Sequence, residues 1–427
     1  SNATFGRGTI AALNTLGIDA AAIGNHEFDW SVDTLSSRIR EATYPFLSAN
    51  ITNTAGTARP DWATPWTLVT KGGTKIAVIG LTTTETPTST AARNIQGLAF
   101  GDGAQAIKRY LPAARAAADY VIVVAHAGAI CDSSAAAAAA ASCHGEILDV
   151  ARQLDSGSVD LIVAGHTHWR VNTVVNGIPI VEAQSSARSI GVVDFVRTGA
   201  GGQREVRAQL ITPFVDQVKP DVTLTEALGR QQQAVRNITE RVVGRLRFPL
   251  KREGDEYGLG RLIADAQRAA GRADVAIMNN GGIRSDLPEG AITFGQVYQV
   301  QPFQNRLLRL TVKGSVLQEA LEQCVSGGGH VPDCHVAGVE VWYDPRKEPG
   351  KRISRIRLGA KDIDRNRAYT LVVSDFMATG GSGFRMLAAS PKEDLDVVDI
   401  DALTRYLGVL RAPVEAPSDV RFHRTDR

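Results

Sequence analysis

Residues able to bind a cation stand where apolar runs stop. AAIGNHEFDW (21–30), IVVAHAG (122–128) and LIVAGHTH (161–168) each pass from an apolar stretch into a short polar motif, carrying Asn25, then His126, then His166 with His168. Amide oxygen and imidazole nitrogen suit zinc, manganese or iron. A lone histidine at a strand end is more often structural. Histidines closing successive runs, with Gly128 and Gly165 beside them, point instead to a metal site. His26 has a different prospect, because Asp29 follows it by about one helical turn. A carboxylate there can take the proton on one ring nitrogen and fix the tautomer, making His26 a candidate general acid. The bland alternative is an Asp that caps a helix beside a ligand histidine.

These side chains converge only if the runs are strands of one sheet. The apolar runs Ile18–Ile23, Lys75–Leu81, Tyr120–Ala125, Val159–Ala164 and Ile178–Glu182 alternate with Ala-rich stretches such as QAIKRYLPAARAAAD, which read as helices. That is the pattern of an α/β layer structure, whose polar loops gather at one rim. Ala135–Ala141 has the propensity of a surface helix. From Pro213 to about Val243 the chain is polar and Gln-rich, which predicts a connecting helix. FPLKREGDEYGLGRLIADAQRAAG then predicts a loop feeding an amphipathic helix, followed by strands and Gly-rich turns.

The second block carries its own polar set. NNGGIRSD offers Asn279 and Arg284 at a glycine turn, QPFQN offers Phe303 and Asn305, and SDFMATGGSGF offers Phe376 and Ser382. Two loop phenylalanines can sandwich a nucleobase, and arginine suits a phosphate through forked, charged hydrogen bonds. Taken alone, such a phenylalanine is more often a plug for the core.

GNHEFD, AHAG and GHTH together resemble the signature motifs of the calcineurin-like metallophosphoesterases, and GNHEFD with the second block resembles their 5′-nucleotidase / UDP-sugar hydrolase / 2′,3′-cyclic phosphodiesterase family. The resemblance implies an α/β fold with a four-layer α/β/β/α catalytic domain over 4–212, a linker helix over 213–242 and a C-terminal α+β substrate-binding domain over 243–427. It implies Asn25, His126 and His166 on one metal, His168 on the other, and His26 with Asp29 as a catalytic dyad. It maps phosphate contact to Arg252 and Arg284, base stacking to Phe303 and Phe376, and polar base or ribose contacts to Asn279 and Asn305. At Ser382 the family usually has an aspartate that grips the ribose, so nucleoside selectivity is expected to be relaxed or different. The family also carries an Asp-x-His motif and a bridging aspartate before GNHEFD, and neither stands here. With Ser1-Asn2-Ala3 read as the remnant of a cleaved tag, the expectation is a chain lacking its natural beginning. Two divalent ions would serve the full-length protein, one or none this chain, whose activity would be weak or absent.

Bulk properties narrow the class. The 427 residues exceed one comfortable core, and 47 basic against 45 acidic residues leave a net charge of +2. That charge provides no global field for polymeric nucleic acid, so a small nucleotide is the expected partner. No apolar run approaches the ~20 residues needed to span a bilayer. Cys131 with Cys143, and Cys324 with Cys334, are spaced as two local disulfide loops, four free thiols being the alternative. Disulfides imply an extracytoplasmic setting: secreted, periplasmic or cell-surface. Oligomeric state is not readable from these residues.

Overall fold

The computed structural model describes residues 4–131, 142–198, 203–327 and 332–426. The predicted helix over Ala135–Ala141 lies outside the described residues. The chain divides into two compact units, Ser1–Gln231 and Gln232–Arg427.

The first unit is built on a six-stranded sheet of β1 (Trp66–Lys71), β2 (Thr74–Thr82), β3 (Tyr120–His126), β4 (Leu161–Ala164), β5 (Arg170–Val175) and β6 (Ile178–Ala183), ordered β5-β6-β4-β3-β2-β1. The central strands β6, β4, β3 and β2 pair in parallel, and antiparallel hairpins close both edges. Parallel strands are covered on both faces, so their sequences read as near-continuous apolar runs. Ile79, Leu81, Val121, Val123, Ile162 and Ile180 form one core with Ile107 of the helix Gly103–Ala117 and Ile147 and Leu148 of the helix Glu146–Gln153. A second cluster joins Ile23, Phe28 and Phe46 to the helices Arg7–Leu16 and Val32–Glu41 through Ile10 and Leu35. Of the run predicted at Ile18–Ile23, only Ala21–Ala22 is strand, paired in parallel with Phe46–Leu47. A nine-residue hairpin pair, Ile190–Thr198 with Gln203–Ile211, follows β6.

Parallel register fixes the site. Thr82 pairs with His126, and Ala164 pairs with Glu182, so these residues stand together at the carboxyl ends of β2, β3, β4 and β6. That rim is where open α/β sheets bind ligands. Thr82 also ties in the Asn25 segment, since its hydroxyl donates to the Ile23 carbonyl at 2.7 Å.

The predicted connecting helix is present as Val222–Thr239, and the division between units falls inside it. The second unit has a five-stranded sheet of β7 (Val275–Asn279), β8 (Arg306–Lys313), β9 (Cys334–Ala337), β10 (Ala368–Ser374) and β11 (Lys392–Val398), ordered β9-β7-β10-β8-β11. Alternation along β7 sends Ala276 and Met278 to the core beneath the helix Gly258–Gly271, and Val275 and Ile277 to the core beneath the helix Gly314–Val325. Both disulfides form as paired from the sequence, Cys131–Cys143 and Cys324–Cys334. Among the described residues no helix is long and apolar enough to cross a membrane.

Asp399, at the head of the helix Asp399–Val409, is 2% exposed. Burial pushes its carboxyl up from 3.8 to about 7, against bonds from the Ile400 amide and Asn305. Between those two values the folded chain keeps a proton that the unfolded chain releases, so stability falls as pH rises from 3.8 towards about 7. Urea unfolding across that range is expected to show this downward slope, flattened in Asp399→Asn.

Candidate active site

Asn25 opens a short 3₁₀ turn, Asn25–Phe28, and is 1% exposed. Its Nδ2 donates to the Ser89 carbonyl at 3.4 Å, and its own carbonyl accepts from the Thr90 hydroxyl at 3.0 Å. The side-chain oxygen Oδ1 is thereby turned towards His126, 2.9 Å from Nε2. His166 approaches the same atom, with Nδ1 3.2 Å from His126 Nε2. Three donor atoms from three strand-end motifs thus meet. The two distances to His126 Nε2 are close to the roughly 3.3 Å between neighbouring ligands in a tetrahedral site with metal–nitrogen bonds of 2.0–2.1 Å. Burial first, then the nearby imidazoles, holds His126 down to about 3, so it is a neutral donor at ordinary pH. The donor set fits one divalent cation. It depends on the amide: among the described residues no group of three His, Cys, Asp or Glu is arranged for a metal.

His168 is exposed and close enough for its charge to act on His126. His166 and His168 both have left-handed backbone, at φ 83° and 61°. Such conformations cost about 1–3 kcal/mol each in non-glycine residues and persist only where surroundings enforce them. The residues between and after them, Thr167 and Trp169, are held by Glu182, 1% exposed, which sequence reasoning passed over. Its carboxylate accepts from the Thr167 hydroxyl at 2.8 and 2.9 Å, the Ala129 amide at 3.2 Å and the Trp169 amide at 3.3 Å. Burial raises its pKa against those bonds. The detectable signal was a lone carboxylate ending an apolar strand. Glu85 was missed too. Its Oε2 lies 3.3 Å from His166 Nε2, and that bond, with the imidazole's charge, lowers the Glu85 pKa against burial.

His26 and Asp29 stand within hydrogen-bonding distance. His26 Nδ1 sits 3.1 and 3.3 Å from the two Asp29 carboxylate oxygens, and the His26 side chain is 40% exposed. An Nδ1–H donated to Asp29 leaves Nε2 as the working nitrogen.

In the second unit four of the predicted residues meet in two pairs, and Arg252, Asn305 and Phe376 contact other residues. Arg284 lies over the Phe303 ring at 5.7 Å, joining NNGGIR to QPFQN, and its Nη1 donates to the Gly281 carbonyl at 3.3 Å. Asn279 donates to the Ser382 hydroxyl at 3.1 Å, joining NNGGIR to SDFMATGGSGF. Phe376 packs against Gly381, where a Cβ would fall 2.3 Å from the ring. Arg252 hydrogen-bonds the Tyr257 phenol, which donates in turn to Asn280. Asn305 is tied to Asp399, its Nδ2 donating to the carboxylate at 3.2 Å and its carbonyl accepting from the Asp399 amide at 2.9 Å.

Gly128 tests the junction between the histidine loops. A Cβ there would fall 2.3 Å from the Gly165 carbonyl oxygen and 2.6 Å from both Glu182 Oε2 and Thr167 Oγ1. Gly128→Ala is expected to weaken Mn²⁺ uptake and to cost roughly 1–3 kcal/mol in urea unfolding, as overpacking does. Unchanged uptake would show that the junction does not set the donors.

Residues 237–389 match the family model of the 5′-nucleotidase C-terminal domain, and residues 4–181 match one described as bacterial capsule synthesis protein PGA_cap. The endonuclease YhcR of Bacillus subtilis (strain 168) is 30% identical over 97% of this chain, which spans only 34% of that relative's length. Protein UshA of Yersinia enterocolitica is 28% identical, with 92% of this chain and 78% of UshA covered. The crystal structure of a 5′-nucleotidase precursor from Thermus thermophilus superposes with a TM-score of 0.82 at 25% identity, over 99% of this chain and 87% of that one. The likeness to 5′-nucleotidases extends through both units, with residues 237–389 matching their C-terminal domain and the motif residues of the first unit gathered on one sheet rim.

Proposed function

We propose that this chain belongs to a protein that hydrolyses nucleoside 5′-phosphates to nucleoside and phosphate. The observation that carries the reading is the meeting of Asn25, His126 and His166 beside the His26–Asp29 dyad. Asn25, His126 and His166 would hold a divalent ion of the zinc, manganese or iron type, and His168 would serve a second. A bound cation of this kind neutralises phosphoryl charge and lowers the pKa of water. The chain's own residues do the rest. His26, oriented through Nδ1 by Asp29, gives its Nε2 proton to the 5′-oxygen as the phosphorus–oxygen bond breaks, so the nucleoside leaves as an alcohol. In the second unit Arg252 and Arg284 take phosphate charge, Phe303 and Phe376 take the base, and Asn279 with Ser382 takes polar edges of the nucleoside. Asn305 supports that surface through Asp399. Ser382 brings no charge to the ribose, which supports broad nucleoside acceptance.

A second reading is hydrolysis of a nucleotide phosphodiester, such as a 2′,3′-cyclic nucleotide. It is favoured by the relative named as an endonuclease, which matches nearly the whole of this chain. UDP-sugars are a third substrate class for the same chemistry, and a non-catalytic nucleotide-binding role is the alternative of another kind. The two disulfides support an extracytoplasmic setting.

Assay of AMP, UDP-glucose and 2′,3′-cyclic AMP with Mn²⁺ or Zn²⁺ ranks these readings, and AMP should be the fastest. Faster diester cleavage would favour the second reading, and nucleotide binding without turnover the non-catalytic one. His26→Ala is expected to lower kcat on AMP by roughly 100- to 10,000-fold. It should cost p-nitrophenyl phosphate much less, because that leaving group needs no proton. Equal losses on both substrates would remove the general-acid role.

A further inference from the structure

We propose that Glu85 is a positioning residue for His166, holding the imidazole by Nε2 so that Nδ1 is the lone-pair atom facing the point shared with Asn25 and His126. This rests on the reading of those three residues as a metal position. Glu85 Oε2 and His126 Nε2 lie at opposite nitrogens of the His166 ring, 3.3 and 3.2 Å away. A proton donated to the carboxylate from Nε2 leaves the lone pair on Nδ1, and such partners orient ligand histidines in metal sites generally.

The segment presenting Glu85 is itself built for the purpose. Glu146 accepts from the Thr83 hydroxyl at 2.5 Å, the Thr84 amide at 2.9 Å and the Thr84 hydroxyl at 2.8 Å. The Thr83 hydroxyl then accepts from the Glu85 amide at 3.1 Å, which sets the start of the Glu85 side chain. A few residues on, Ser89 and Thr90 hold the Asn25 amide and carbonyl. One stretch, 83–90, therefore orients two of the three donors. The Glu85 side chain is 66% exposed, so its bond to His166 adds little to stability. Its consequence is the choice of tautomer and the angle of the ring.

The test uses histidine ¹⁵N NMR on the metal-free protein, together with Mn²⁺ titration and thermal unfolding, for the parent chain, Glu85→Ala and Glu85→Gln. The parent should show His166 protonated at Nε2, and Glu85→Ala should mix the tautomers and weaken Mn²⁺ binding by roughly 10- to 100-fold. Glu85→Gln, whose amide oxygen still accepts the bond, should restore most of both, with unfolding midpoints unchanged throughout. The same His166 tautomer in parent and Glu85→Ala would overturn the proposal, as would equal Mn²⁺ affinity. A tautomer change in a parent chain that takes up no Mn²⁺ would sustain the positioning role and remove the metal reading beneath it.

Discussion

The first unit depends on one constraint: three side chains from three strand ends must bring their donor atoms to a single point, His126 Nε2. Parallel pairing places the motifs at one rim, but it does not aim the side chains. Buried hydrogen bonding does that. Glu182 ties the two histidine loops together through Ala129 in one and Thr167 and Trp169 in the other, beside the left-handed backbone of His166 and His168. Ser89 and Thr90 turn the Asn25 amide. Removing one partner from such a network leaves buried polar groups unsatisfied, at about 1–3 kcal/mol each. The surroundings thus resist loss of the geometry.

The proposed separation of roles between the units follows from their materials. The first offers imidazoles, an amide oxygen and buried carboxylates on a rigid parallel sheet, which suits charge neutralisation and proton transfer. The second offers arginine over phenylalanine, and amide against hydroxyl, on loops that leave a sheet, which suits recognition of a flat base and an anion. Arg284 over Phe303 at 5.7 Å shows how the same ring can carry a guanidinium and still present an apolar face.

Much of this was legible in the sequence, for identifiable reasons. Buried parallel strands read as apolar runs, so β2, β3, β4 and β6 stood out, and the polar motif after each run marked Asn25, His126, His166 and His168. The His26–Asp29 pair was visible because a spacing of three residues is a local geometric fact. Less legible were groups whose meaning depends on tertiary placement. Glu182 was read as the last residue of a strand, although a single carboxylate closing IPIVE could have been flagged. Glu85 lies in a stretch without periodicity, Glu146 heads an amphipathic helix 61 residues later, and the two meet only through the Thr83–Thr84 turn. The edge strands β1 and β5 were hidden because partial exposure breaks the apolar run. Ile18–Ile23 was read too long, since only its end finds a partner strand.

Zinc absorption spectroscopy on the protein loaded with one equivalent of Zn²⁺ tests the central claim most directly. Two imidazole ligands with zinc–nitrogen distances of about 2.0–2.1 Å, accompanied by oxygen donors, are the predicted result. Zinc bound without imidazole scattering, or no zinc retained at all, would contradict it.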